Sequence, residues 1–587
     1  MGSIPCNYHF VGYWGYAQSQ DIEKLFSKIK VKHYKLDAQN DSDIIYNVAY
    51  TCNFQLNFQP DSTKIISNNI VSISASGMND FPDAWVRLEA RTLVLGRDPF
   101  GRVPLYWMQQ EQVIWFASQL QLLLPLVKAP EINIAALYGY NCFSYVPTPV
   151  TPVKQIQAVE AGVELNWNYN NNKINFLGKK QLLQFQQATD LIYNENTAIE
   201  ELQVLLKDAV NRQINDLNDE PVGVCLSGGL DSSIVAALLV QAGVKVKAYT
   251  LDFGNIGIPE YPYAELVAQH LNIPLVKVDA NPGNIQKALI PTVKALDLPF
   301  GDGVTVPLYL LAQAASQETG VIFNGENGDQ LFAGWTNKPL IAAAIYQAQH
   351  PDGEESFIRQ YIKTFHRLWG YEESIYQLGV RHQINSLSAE DWLQEALESK
   401  YSYELMHRLR RASLMLKGAQ NIQPRATNIA FSQNLEVRSL FCDLPLTQWS
   451  FRLSGELMLQ GSCEKYILKR AVDSWLPKEI VWRQKRGMGV PLTSWCLHEF
   501  WHKLGDWLNP GILRSEGVFQ PDIATKIVSG EFSAAISGRR VGEILWLLIM
   551  WELWRVYVFG EIPGKKELNH PFVLPRQVWR FYKKWKT

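Results

Sequence analysis

The sequence predicts an α/β protein of two domains, a β-rich first domain and a doubly wound parallel sheet with helical additions. Three observations carry that expectation. Up to about residue 180, short runs of alternating apolar residues are separated by Asn, Asp, Gly and Pro turns. From about residue 197, helical stretches alternate with short buried strands, the first of them β-branched and uncharged, the pattern of βαβ units. The first of those strands ends in a glycine- and serine-rich turn, SGGLDSS, before an alanine-rich helix. With 587 residues, at least two domains are expected and core size sets no limit.

Taken in order, the runs 65–75, 85–96 and 113–117 read as strands of the first domain, 1–180. The Asn-rich stretch 166–176 reads as an exposed hairpin tip, and the Gln-rich stretch 182–196 as a linker. The second domain, 197–560, carries strands at 222–226, 244–251, 275–278 and 321–324, with ligands expected at their C-terminal ends. Its remainder is Leu- and Trp-rich helix. The stretch 544–559 is strongly apolar but short, and it holds Glu552 and Arg555, so a buried amphipathic helix is expected rather than a membrane span. The tail, 561–587, interleaves Arg576, Arg580, Lys583, Lys584 and Lys586 with Trp579, Phe581, Tyr582 and Trp585. It reads first as a solvated amphipathic tail and second as a peptide or acidic-partner docking site.

Lys plus Arg total 55 against 57 Asp plus Glu, so charge gives no argument for a nucleic-acid partner. The cysteines at 6, 52, 142, 225, 442, 463 and 496 lack metal-site spacing, and with no recognisable signal peptide they suit a reducing cytoplasm. No nucleic acid and no membrane are expected as partners.

In the turn itself, Ser227, Gly228, Gly229, Leu230, Asp231, Ser232 and Ser233 lie between strand and helix. Glycines let the backbone approach a ligand, and a helix N-terminus presents unpaired N–H groups to an anion. No Gly-Lys-Ser/Thr closes the loop, which argues against a γ-phosphate-transferring NTPase. An ordinary capped βα turn is the bland alternative.

SGGLDSS resembles the pyrophosphate loop of ATP pyrophosphatases. Further blocks resemble the asparagine synthetase family in matching order: RDPFGRVPLYW (97–107), IWFASQLQLLL (114–124), the joining segment 145–167, FNGENGDQLFAGW (323–335), NLEVRSLFCDLPL (434–446), EKYILKRA (464–471), RQKRGMGVPL (483–492) and ILWLLIMWELW (544–554). The resemblance implies an αββα Ntn-amidotransferase-like first domain and an ATP-pyrophosphatase second domain. It departs in the first domain. Glutamine-dependent members carry Cys after Met1, where Gly2 stands here; Cys6 is followed by NYHF, and the RGPD and NGE motifs have no counterpart. The first domain is therefore expected to be an inactive scaffold with a structural Cys6. Two branches with such domains, β-lactam synthetases and lasso-peptide cyclases, adenylate a carboxylate for attack by an amine of the same molecule.

The resemblance implies ATP and Mg²⁺ as cofactors. It assigns Leu226, Ser227, Gly228, Gly229, Asp231, Ser232, Ser233, Leu251 and Gly325 to ATP and pyrophosphate, with Asp252 and Phe253 bordering the adenine. Asp231 and Asp329 would hold the metal, since Mg²⁺ takes one or two carboxylates plus phosphate oxygens. Glu326 would serve the attacking amine as base or anchor, and Lys485 would stabilise charge as AMP leaves. β-Lactam synthetases carry Tyr at the position of Glu326. Arg483 and Lys465 are weaker candidates for phosphate contacts, and Glu436 with Arg438 reads as an ion pair beneath the site. The expected activity is an AMP-forming carbon–nitrogen ligase, foremost a macrolactam-forming lasso-peptide cyclase, then an ammonia-dependent asparagine synthetase or a β-lactam-synthetase-like cyclase. A peptide or small-molecule carboxylate would be its substrate, and a leader-binding protein or protease its partner. A cyclase needs a roomy cavity, expected between the helical region 345–415 and the basic tail.

Overall fold

A computed structural model describes residues 8–18, 20, 21, 23, 24, 46–52, 69–73, 82–88, 91–171, 173–254, 260–334, 354–363, 365, 367–484, 487–532, 536, 538 and 540–586. Cys6 and Lys485 lie outside the described residues.

The first domain stacks two five-stranded antiparallel sheets. Strands β1 (Tyr8–Gly15), β2 (Tyr46–Cys52), β3 (Asn69–Ile73), β4 (Ala84–Leu88), β5 (Thr92–Arg97), β6 (Tyr106–Gln110), β7 (Val113–Ala117), β8 (Gln157–Ala158), β9 (Val163–Asn170) and β10 (Lys173–Gln181) divide in the orders β2-β1-β7-β6-β8 and β10-β9-β5-β4-β3. Residues 85–96, expected as one run, turn back on themselves as β4 and β5. The Asn-rich stretch forms the β9–β10 hairpin, but Trp167 inside it is fully buried against Trp107. Side chains of both sheets interleave between them, among them Phe10, Trp14, Val86, Leu95, Ile114 and Phe116.

The linker is bound rather than free. Phe185 stacks on Phe451, and the Ala188 and Ile192 amides donate to the carbonyls of Phe451 and Arg452. The second domain opens on a helix that starts at Glu195, capped by the Asn194 side chain. Its sheet is all parallel: β11 (Val222–Cys225), β12 (Val246–Asp252), β13 (Leu275–Asp279), β14 (Val321–Asn324) and β15 (Glu436–Ser439), in the order β13-β12-β11-β14-β15. The order reverses between β11 and β14, so the turns leaving these two neighbouring strands sit together at the sheet's C-terminal edge, where sheets of this kind bind ligands. The expected Glu436–Arg438 pair forms at 2.6 Å in β15, and Asp216 completes it.

The apolar stretch near the end becomes the helix Arg540–Trp554, buried from Ile544 to Trp554 on every side rather than amphipathic. Arg555 joins Glu552, Glu516 and Glu561 at 2.7–2.9 Å, which accounts for charges inside that core. Among the described residues, no helix is long and apolar enough to cross a membrane.

Candidate active site

The turn after β11 is held by its own serines. Ser232 Oγ accepts from the Ser227 amide at 3.2 Å and donates to the Gly229 carbonyl at 3.1 Å. Ser233 is fully buried and its hydroxyl donates to the same carbonyl at 2.8 Å, so it braces the turn from beneath instead of facing a phosphate. Gly228 has φ +68°, and a Cβ there would lie 2.5 Å from the Tyr263 carbonyl carbon. Its part is conformational: only glycine lets the turn press onto the neighbouring helix Tyr261–Leu271. The helix Leu230–Gln241 then starts from Gly229 with no side-chain cap, so no side chain competes for its first amides.

The turn after β14 meets this one backbone to backbone. A Cβ on Gly325 would stand 2.7 Å from the Ser232 amide nitrogen, and one on Gly328 would stand 2.6 Å from Asp231 Cγ. Asn324 fixes the turn, its Oδ1 accepting from the Glu326 amide (3.1 Å) and the Ser439 hydroxyl (2.8 Å). The result brings Asp231 and Asp329 to one point, occupied by the ammonium of Lys465. Lys465 Nζ lies 2.5 Å from Asp231 Oδ2 and also contacts Asp329 Oδ1.

Both turns open into one cavity of about 1880 Å³. Leu226, Ser227, Gly229, Asp231, Ser232, Leu251, Gly325, Glu326 and Asp329 line it, as the sequence led us to expect. Gly228 and Ser233 do not. Asp252 and Phe253 are corrected as adenine neighbours: Asp252 turns to Lys277 and the Gly254 amide, and Phe253 is buried against Trp495. Among the described residues, Lys465, Lys469 and Arg483 bring positive charge to the cavity wall. Arg483 is stacked on the Tyr263 ring and reaches the Gly228 carbonyl at 3.4 Å.

Away from the turns, the wall is a chain of charges. Arg425 Nη2 lies 3.8 Å from Glu326, and its Nη1 lies 2.9 Å from Asp302. Asp302 also receives Arg367 (3.1 Å), Asn421 (2.7 Å) and Ser144 (2.9 Å). Burial pushes the Asp302 carboxyl up, but Arg367 and Arg425 outweigh it and hold it well below the usual carboxylate range. Tyr361, Phe365 and Leu409 supply apolar wall from the 345–415 region. Among the described side chains of the tail, 561–581, none lines the cavity. Asp302, Arg367 and Arg425 were missed in the sequence because each comes from a different segment and no local spacing joins them; Lys469 was missed although it lies four residues from Lys465, on the helix that Lys465 opens.

Residues 201–555, more than half of the chain, match the family model described as asparagine synthase. The chain belongs to the asparagine synthase family. As a member of that family it is an ATP-dependent amide-forming ligase. Residues 75–177 and 20–125 match two glutamine amidotransferase domain models, which identifies the first domain's fold. The family member is 23% identical over 509 residues to glutamine-hydrolyzing asparagine synthetase 1 of Bacillus subtilis, covering 82% of this chain and 77% of the relative. With the human glutamine-hydrolyzing asparagine synthetase it shares 24% over 522 residues, 84% of this chain and 78% of the relative. Among solved structures, the NH3-dependent NAD synthetase of Campylobacter jejuni aligns over 39% of this chain and 96% of its own, at 14% identity and a TM-score of 0.20.

Proposed function

We propose that this ligase adenylates a carboxylate of a peptide and closes a macrolactam through an amine of the same molecule. The observation that carries the reading is the cavity. Sites for small molecules enclose roughly 300–1,000 Å³, and about 1880 Å³ here leaves room beyond a nucleotide for a folded peptide. The first domain, without the glutamine motifs of its resemblance, is read as a scaffold, so the amine arrives on the substrate.

In the first step a substrate carboxylate oxygen bonds to the α-phosphorus of ATP and the bond to pyrophosphate breaks. The amide hydrogens at the start of helix Leu230–Gln241, with Lys465, Lys469 and Arg483, face the departing pyrophosphate. In the second, the amine nitrogen bonds to the acyl carbon, the bond to AMP breaks, and the amine gives up a proton to Glu326. Holding amine and acyl group in one molecule raises their effective concentration, provided the cavity folds the peptide first.

The residues fit magnesium. Asp231 and Asp329 converge on a point that already accepts one positive charge. Among the described residues no group of three or more acidic, His or Cys side chains could hold a metal alone, so phosphate oxygens would complete the shell, as Mg²⁺ prefers. Bound there, it would neutralise charge on the pyrophosphate. Action in the cytoplasm, where ATP and reduced thiols are found, belongs to the same reading.

Incubation with ATP, Mg²⁺ and a leader-free peptide should yield a product lighter by one water, with AMP and pyrophosphate alongside. Efficient conversion of free aspartate and ammonium to asparagine would overturn the cyclase reading. The second reading, an ammonia-using asparagine synthetase like its named relatives, is favoured by Glu326 in the cavity wall and would then take its place.

A further inference from the structure

The segment after Gly560 sends Phe572 into the core and, through residue 581, stays out of the cavity; it is firmly placed. Asn509 clamps it through the Glu567 backbone, its Oδ1 accepting at 2.8 Å and its Nδ2 donating at 3.0 Å. Phe572 is buried against Trp501, whose indole donates to the Leu574 carbonyl at 2.8 Å. The helix Arg576–Lys586 follows, seated by Trp579 on the Trp501 ring at 5.4 Å.

On this fixed platform the apolar side chains point the wrong way for a solvated tail. Phe581 is 77% exposed, Val578 52%, Leu568 83% and Ile562 89%. Val578 and Phe581 are three residues apart and share one face of the helix. From Leu568 to Thr587 there is no Asp or Glu, while Arg576, Arg580, Lys583, Lys584 and Lys586 fall within the helix.

We propose that this face docks on an anionic lipid surface. A helix with Val578 and Phe581 exposed, in a stretch dense in Lys and Arg and without acidic residues, lies in the interface plane of a bilayer. The cations meet acidic headgroups, at about 1 kcal/mol or roughly five-fold in affinity for each. An exposed helix is convex, which suits a planar surface better than an extended peptide, whose usual receptors are grooves and sheet edges. The sequence led us to expect no membrane partner because nothing in it spans a bilayer; lying on one is a different demand. Since no described side chain of 561–581 lines the cavity, the proposal does not depend on the substrate.

The test is co-sedimentation of the full-length protein with vesicles. Binding is expected to phosphatidylglycerol–phosphatidylcholine vesicles, and to fall away on pure phosphatidylcholine or in high salt. The double variant Lys583→Gln/Lys584→Gln should weaken binding by about 25-fold, two five-fold steps. Phe581→Ser should weaken it roughly ten-fold through lost apolar burial. Circular dichroism of each variant should match the parent. Absence of binding to the anionic vesicles overturns the proposal, as does binding that Phe581→Ser leaves unchanged. A dimer in solution that Phe581→Ser disperses would give the face to a second copy instead, and would equally overturn it.

Discussion

Lys465 Nζ sits 2.5 Å from Asp231 Oδ2, and the lysine side chain is 2% exposed. The same ammonium contacts Asp329, so one buried cation separates two carboxylates drawn from two different turns. Two carboxylates drawn to one point repel unless a cation lies between them or one of them takes a proton.

Lys465→Met should therefore expose the pair to its own repulsion. Removing one partner from a buried ion pair costs on the order of 3–5 kcal/mol. The urea midpoint should drop accordingly, and Mg²⁺ should raise it more in the variant than in the parent, because the metal then takes the vacated charge position. Equal Mg²⁺ effects on the two proteins would remove the carboxylate pair as a metal site.

Asp231→Asn and Asp329→Asn each leave Lys465 one carboxylate, so the fold should persist. Substrate-dependent pyrophosphate release should be lost in both, as measured by a coupled phosphate assay. Parent-like rates in either folded variant would mean that these side chains hold neither metal nor phosphate.

Gly325→Ala tests the contact between the two turns. The added Cβ would meet the Ser232 amide nitrogen at 2.7 Å, a backbone atom with no freedom to swing aside. ATP binding by isothermal calorimetry should weaken at least ten-fold, because displacing the turns disturbs the helix start proposed to receive the phosphates. By contrast Gly243→Ala, also in a turn at φ +80° but with open space around its Cβ, should cost some stability and no ATP affinity. Similar affinity losses at both positions would show that strain, not the turn contact, is what matters.

What was legible in the sequence followed the reach of local pattern. The strand–turn–helix at 222–240 could be read because an uncharged apolar strand, a glycine- and serine-rich turn and an alanine-rich helix lie within one short stretch. The strands β11 to β14 were legible for the same reason, but β15 was hidden, since its four residues lie beyond a long helical insertion. Ser233 looked like a phosphate ligand because hydroxyls in such turns commonly are; only coordinates show its bond to the Gly229 carbonyl. Asp302 and Arg425 are far apart in sequence and carry no motif, so their 2.9 Å pairing depends wholly on the tertiary fold. The tail was misplaced for a related reason: composition describes a basic aromatic helix without saying which surface it is pinned to.

Asp297 and Asp302 lie five residues apart and titrate in opposite directions. Burial pushes the Asp297 carboxyl up to about 6, despite amide donors at Leu120 and Gln121. Its raised value favours the folded state at low pH, a contribution lost as pH rises from about 4 to about 6. Asp302 is depressed by its arginines, so its contribution is present above about pH 4 and is lost only in stronger acid. Urea unfolding across pH should show Asp302→Asn losing stability at pH 7. Asp297→Asn should instead flatten the decline between pH 4 and 6. A parent-like slope in Asp297→Asn would remove that carboxyl as its source.

The last prediction separates the two chemical steps. Arg425 holds Glu326 at 3.8 Å while also gripping Asp302 at 2.9 Å, so it orients the proposed base from outside the reacting atoms. Glu326→Gln keeps shape but cannot take a proton, so amide formation should fall by about 100-fold or more. Substrate-dependent ATP–pyrophosphate exchange should survive, because adenylation needs no base at that position. Arg425→Lys preserves charge but not the forked geometry, and one ammonium cannot reach both carboxylates as a guanidinium does. It should lower kcat for amide formation less than Glu326→Gln, leave pyrophosphate exchange intact, and shift the pH profile of amide formation upward as Glu326 loses part of its cationic neighbour. If Glu326→Gln abolishes exchange as well, the residue belongs to carboxylate activation rather than to the amine, and the assignment of Glu326 as proton acceptor fails.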